Sequence, residues 1–92
     1  MKPIRLSNHS KLQMLLRCAT EEEVKLSIHE STWAKAKMGK FQTKKQFSFN
    51  KMSPTNNQFY KYKTVEPIFA DEQNEIVVIT VKVYYSNQEV KS

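Results

Sequence analysis

Ninety-two residues with a net charge of +6 make one domain, residues 1–92, with a single modest core. No apolar run approaches the ~20 residues needed to cross a bilayer, and no apolar signal segment follows Met1-Lys2-Pro3-Ile4-Arg5. The lone cysteine, Cys18, excludes an internal disulfide framework, which a secreted domain of this size usually needs, so the expected compartment is the reducing cytoplasm.

Ile4 to Ser7 reads as a short first strand, with Pro3 placed where no ladder donor is needed. Ser7 or Asn8 is a plausible N-cap for a first helix. Leu12, Leu15, Leu16 and Ala19 recur at helical spacing and are expected to form its buried stripe. Thr20-Glu21-Glu22-Glu23 opens a second helix. Thr20 and Glu23 have the spacing of a capping box, and three carboxylates sit where the helix dipole favours negative charge. These acids therefore read as structural. The helix is expected to run to about Ser31, with Val24 and Ile28 inward and His29 in its last turn.

After Trp33 the pattern turns to period two. Phe41, Thr43, Phe47 and Phe49 share one parity, with Lys45 as the exception, and Gly39 permits a bend or bulge. Ser53-Pro54-Thr55-Asn56-Asn57 reads as a polar loop. Phe59 to Ala70 resumes as a strand. Tyr60, Tyr62, Thr64, Glu66 and Ile68 lie on one side of it, and Phe59, Lys61, Lys63, Val65 and Phe69 on the other. Pro67 should bend it or mark an edge. Asp71 to Asn74 turns into the last strand, Glu75 to Tyr85. There Val77, Ile79, Val81 and Val83 form the expected core face, and Thr80, Lys82 and Tyr84 the polar end of the other. Residues 86–92 are a polar tail expected to fray. The predicted fold is α+β: a strand, two helices, then a three-stranded antiparallel sheet, with the helices packed on one sheet face.

Charge is distributed unevenly. From Ser31 to Val65 the chain holds eight lysines and seven aromatics but no Asp or Glu. Such a block attracts polyanions, although a lysine-rich sheet edge also deters aggregation. Lys35, Lys37, Lys40, Lys44, Lys45, Tyr60, Tyr62 and Lys82 are the candidate RNA-binding residues. No phosphate loop, zinc motif or nucleophile elbow is present, and neither a metal nor another cofactor is expected. Metal-independent RNA cleavage needs a base, cations for the developing phosphorane charge and a proton donor. His9, Arg17, Lys61, Lys63, Thr80 and Tyr84 are the candidates for this chemistry. Each also has an innocent reading. In that reading His9 caps or packs at the helix start, Arg17 pairs with Glu21 and Thr80 is a plain strand former.

Three segments together resemble a widespread prokaryotic domain family without an assigned function. They are Ile4-Arg5-Leu6-Ser7-Asn8-His9, Leu16-Arg17-Cys18-Ala19-Thr20-Glu21-Glu22-Glu23-Val24 and Ile76-Val77-Val78-Ile79-Thr80-Val81. Phe59 to Phe69 is similar to the same group. Two positions depart from its pattern: Cys18 stands where glycine often follows the Arg, and Lys82 where Tyr often follows Thr-Val. The topology is similar to RelE- and BrnT-type toxin ribonucleases. That resemblance implies a RelE-like fold and a site of His9, Arg17, a sheet lysine (Lys61 or Lys63) and Thr80. It also implies a cognate antitoxin protein as partner. The leading expectation is a toxin-like, metal-independent endoribonuclease of a type II toxin–antitoxin pair. In it His9 is acid or base, Arg17 and a sheet lysine stabilise the phosphorane, and Thr80 or Tyr84 orients the scissile group. The alternative is a non-catalytic RNA-binding or protein-interaction module using the same surface.

Overall fold

The computed structural model describes residues 2–90. In chain order the elements are β1 (Ile4–Leu6), α1 (Asn8–Leu16), α2 (Glu21–Glu30), β2 (Ala34–Lys35), β3 (Phe41–Gln42), β4 (Lys45–Met52), β5 (Phe59–Asp71) and β6 (Ile76–Ser86), with a 3-10 turn at Lys37–Gly39. The α+β class is as expected, but the sheet has six strands rather than three. Its order is β1-β6-β5-β3-β2, and β4 pairs the rest of β5. β1 is the parallel partner of β6, with Ile4 opposite Ile76 and Leu6 opposite Val78. The single strand expected after Trp33 is broken into β2, β3 and β4. Met38 (φ 59) and Gly39 (φ 73) take left-handed backbone between β2 and β3, and this turns the chain back on itself. Between β3 and β4 the pairing lapses opposite Pro67, which has no N–H to give. There the Thr43 N–H donates to the Pro67 carbonyl at 3.3 Å, and the Thr43 hydroxyl meets that of Ser27 at 2.9 Å.

Both helices start where the sequence predicts. Ser7 Oγ accepts from the Ser10 N–H. Thr20 and Glu23 form both halves of the capping box, at 3.1 and 2.9 Å. Val24 and Ile28 carry α2 into the core.

The stripe on α1 is different. Leu12, Leu15 and Leu16 are 55%, 78% and 62% exposed, while Met14 and Ser10 are buried and Ala19 is buried just past the helix. The helix has only nine residues, about two and a half turns, so four leucine-period positions decide little. Its orientation follows from contacts with β6. Small Ser10 permits close approach, and Gln13 and Arg17 reach that strand with hydrogen bonds.

The core face of β6 also departs from simple alternation. The register with β5 slips between Ile68 and Phe69, so Thr80 faces Ile68 but Val78 faces Phe69. Ile79 is the extra residue of a bulge. Side chains before it therefore change face relative to those after it. Ile76, Val78 and Val81 are fully buried, and Val83 packs partly against them. Val77 and Ile79, expected in the core, are only half-buried on the other face. The buried set from both helices and β6 meets Val65 and Phe69 of β5 on one side of the sheet, which leaves the opposite side free of helices. At the start of β6, Arg5 forks onto Glu75 at 3.1 Å to each oxygen and holds that carboxyl below its usual range.

Cys18 sits at the end of α1 with φ 57, the left-handed conformation that glycine commonly supplies after a helix. The Ala19 N–H reaches back to the Met14 carbonyl at 3.0 Å. Cys18→Gly is expected to raise stability by about 0.5–1 kcal/mol, since relief of left-handed strain (about 1–2 kcal/mol) exceeds the added freedom of the unfolded chain. A urea midpoint that rises at constant slope checks this.

Candidate functional site

β1 ends at Leu6, so beyond Val78 the outer edge of β6 has no strand beside it. Side chains from the first helical region take its place. Ser7 Oγ donates to the Ile79 carbonyl at 3.2 Å. Gln13 Oε1 accepts from the Val81 N–H at 2.8 Å. Arg17 Nη1 donates to the Val81 carbonyl at 3.0 Å. Arg17 is therefore held at the sheet edge rather than by Glu21, which pairs with Lys25 at 3.4 Å. Its own carbonyl accepts from the Tyr85 hydroxyl at 2.7 Å. Burial pushes the Tyr85 phenol above its usual value, and the Cys18 thiol beside it adds to the shift, so the donated proton stays in place at neutral pH.

Around this anchor Arg17, Lys82, Val83 and Tyr84 line a shallow hollow of about 370 Å³. Lys82 and Tyr84 belong to the helix-free face, as does Thr80 one pair along. Across the sheet Thr80 faces Ile68, Lys82 faces Glu66 and Tyr84 faces Thr64, and Thr64 faces Gln46 of β4. These rows floor a second hollow of about 380 Å³, lined by Lys44, Lys45, Gln46, Thr64, Glu66, Tyr84 and Val90. The tail crosses it. Gln46 Nε2 donates to the Gln88 carbonyl at 2.9 Å, and Gln46 Oε1 accepts from the Val90 N–H at 2.7 Å. Gln88 and Val90 thus hydrogen-bond to the sheet, while residues 91 and 92 of the expected frayed tail lie outside the described residues. Among the described residues Glu66 is the one carboxylate lining either hollow.

The predicted site residues divide into groups. Arg17, Lys82 and Tyr84 line one hollow at the β6 edge, and Thr80 lies outside it. His9 is exposed in the first turn of α1, eight positions and so about 12 Å of helix rise from Arg17. Thr80 faces away from the side of the sheet that α1 covers. Lys63 is turned into the protein. Its ammonium meets Glu23 Oε1 at 2.8 Å with a side chain 6% exposed, donates to the Cys18 carbonyl and lies 5.4 Å from the Phe49 ring centre. Lys61 is exposed, and its backbone N–H donates to Asn87 at 3.0 Å.

Of the binding candidates, Lys44 borders the larger hollow and is exposed. Lys45 borders it too but reaches Glu30 at 3.4 Å. Tyr62 stands between Ser48 and Ser86 on the helix-free face. Tyr60 packs against Tyr85, ring centres 5.6 Å apart, and accepts from Asn56 at 2.9 Å. Lys35, Lys37 and Lys40 lie at the far β2 edge, around the 3-10 turn.

Gln13, Gln46 and Glu66 were not among the predicted site residues. Glu66 carried a signal, as the first acid after the long acid-free window. The two glutamines carried none, because each acts on backbone far away in sequence.

No family model, no curated protein and no solved structure matches this chain. No helix among the described residues is long and apolar enough to cross a membrane.

Proposed function

We propose that this chain binds single-stranded RNA across the helix-free face and cleaves it, without a metal ion, at the β6 edge. The observation that carries this reading is the gathering of Arg17, Lys82 and Tyr84 around one hollow, beside a face bearing Lys44, Tyr62 and Tyr84. Cations neutralise backbone phosphates and exposed aromatic faces take unstacked bases. Arg17 and Lys82 would balance the charge of a phosphorane where it develops. The 2′-oxygen attacks phosphorus and loses its proton to water. The bond to the 5′-oxygen breaks, and Tyr84 protonates that oxygen and recovers its own proton from solvent. A 2′,3′-cyclic phosphate and a 5′-hydroxyl result. Thr80, one pair along the same face, orients the strand. His9 stands outside this group, so acid–base exchange falls to Tyr84 and water.

The resemblance to RelE- and BrnT-type toxins supports the same reading. It adds a cytoplasmic setting and a cognate antitoxin that neutralises the toxin. In the alternative, the same face binds RNA without cutting it.

Incubating end-labelled single-stranded RNA with the protein in EDTA tests both. Cleavage to cyclic-phosphate ends is the expected result, together with binding that weakens as salt rises. For four to six phosphate contacts the log–log slope should be about −3 to −4. Salt-dependent binding with intact RNA would establish the non-cleaving module, and absence of salt-dependent binding would remove both.

A further inference from the structure

Glu66 is out of keeping with a surface that attracts phosphates. It projects from the middle of β5 into the larger hollow, where Lys44, Lys45 and Tyr84 also stand. Lys82 is its cross-strand neighbour, yet among the described residues the Glu66 carboxylate makes neither an ion pair nor a hydrogen bond. A carboxylate left free in a cation-lined hollow has its acceptor pair available to a ligand that brings two donors.

We propose that this hollow is a guanine pocket in which Glu66 reads the base edge of the bound RNA. The inference rests on the RNA reading above and names its base preference. An ionised carboxylate offers two acceptor oxygens and no donor. Guanine alone among the four bases presents two adjacent donors, N1–H and N2–H₂, on its Watson–Crick edge. Adenine and cytosine each set a ring acceptor beside their amino group, and uracil flanks its single N–H with two carbonyls. Those edges would place lone pairs against the carboxylate. Charge-assisted, bidentate hydrogen bonds are the strong kind.

The rest of the hollow suits a purine. The Tyr84 ring is 53% exposed and offers a stacking face. The Thr64 hydroxyl lies on the floor beside Glu66, and Lys44 at the rim can meet guanine O6 or the attached phosphate. Gln46 and the tail up to Val90 close one side through the two hydrogen bonds that Gln46 makes to the tail. About 380 Å³ falls within the roughly 300–1,000 Å³ of small-ligand sites, enough for one base and its ribose.

The test uses fluorescence anisotropy with the five-residue RNAs UUGUU, UUAUU, UUCUU, UUUUU and the inosine analogue UUIUU, in EDTA and low salt at 4 °C. The guanine pentamer should bind about 10- to 100-fold more tightly than the adenine, cytosine and uracil ones, the discrimination expected of one bidentate base contact. Inosine lacks the N2 amine and should fall between. Glu66→Gln keeps shape but offers a donor where guanine needs an acceptor, so the preference should collapse while uracil binding stays within about twofold. Tyr84→Leu should weaken all five. Equal affinity of the wild type for every pentamer overturns the pocket alone and leaves RNA binding intact. The pocket is also overturned if Glu66→Gln tightens all pentamers equally, because the carboxylate then only repels phosphate. Absence of binding to any pentamer overturns the RNA reading, and the pocket with it.

Discussion

Lys63→Ala is expected to destabilise the fold by about 3–5 kcal/mol, the scale for removing one partner of a buried ion pair and stranding the other charge. The Lys63 ammonium ties β5 to the start of α2, to the turn before it and to β4. It pairs with Glu23 on α2, caps the Cys18 carbonyl in the turn between the helices and lies against the Phe49 ring of β4. The Glu23 carboxylate has a second duty, closing the capping box on the Thr20 N–H, so a change at Lys63 also loosens the start of α2. Urea denaturation of Lys63→Ala, Glu23→Gln and the double variant measures the coupling. The double variant should lose much less than the sum of the singles, because no charge is then left without a partner. If Lys63→Ala lowers the unfolding free energy by under 1 kcal/mol yet abolishes RNA cleavage, Lys63 belongs to the chemistry and not to the scaffold.

Arg17→Ala should have the opposite profile. Its hydrogen bond to the Val81 carbonyl contributes about 1 kcal/mol to stability. If RNA is cleaved as proposed, loss of this donor should lower the cleavage rate about 10²- to 10³-fold. Arg17→Lys keeps the charge but not the planar fork that can serve Val81 and a phosphate together, so it should recover binding more than rate. Single-turnover rates at saturating RNA, measured beside urea melts, separate the two effects. A cleavage rate unchanged in Arg17→Ala would remove the β6 edge from the chemistry.

Much of the frame was legible in the residues themselves. Thr20 and Glu23 announce a helix start because a capping box is satisfied within four residues. The alternation of β5 separates its two sides because successive side chains obey a period of two, but which side is inner is settled by packing, which buries Val65 and Phe69. The exposed leucines of α1 show the limit. A short helix with apolar residues on several sides can turn either way, and here the hydrogen-bonding needs of the β6 edge set its orientation. Ile79 shows another limit. A run of β-branched residues reads identically with or without a bulge, because the register slip is a property of the pair β5–β6 and not of β6.

The candidate site divides along the same line. Sequence alone determined the helix starts, the strand periods and the acid-free window of lysines and aromatics, since each is written in neighbouring residues. It also nominated Arg17, Thr80, Lys82 and Tyr84. Only the tertiary structure decided that Arg17, Lys82 and Tyr84 border one hollow while Thr80 stands outside it, that Lys63 turns inward and that His9 stands apart. Arg17 and Val81 are 64 positions apart, and their meeting depends on β1 stopping at Leu6 and leaving the edge of β6 to be covered by side chains. Such an unpaired edge comes from the lengths and registers of three strands at once, which no local pattern of residues encodes.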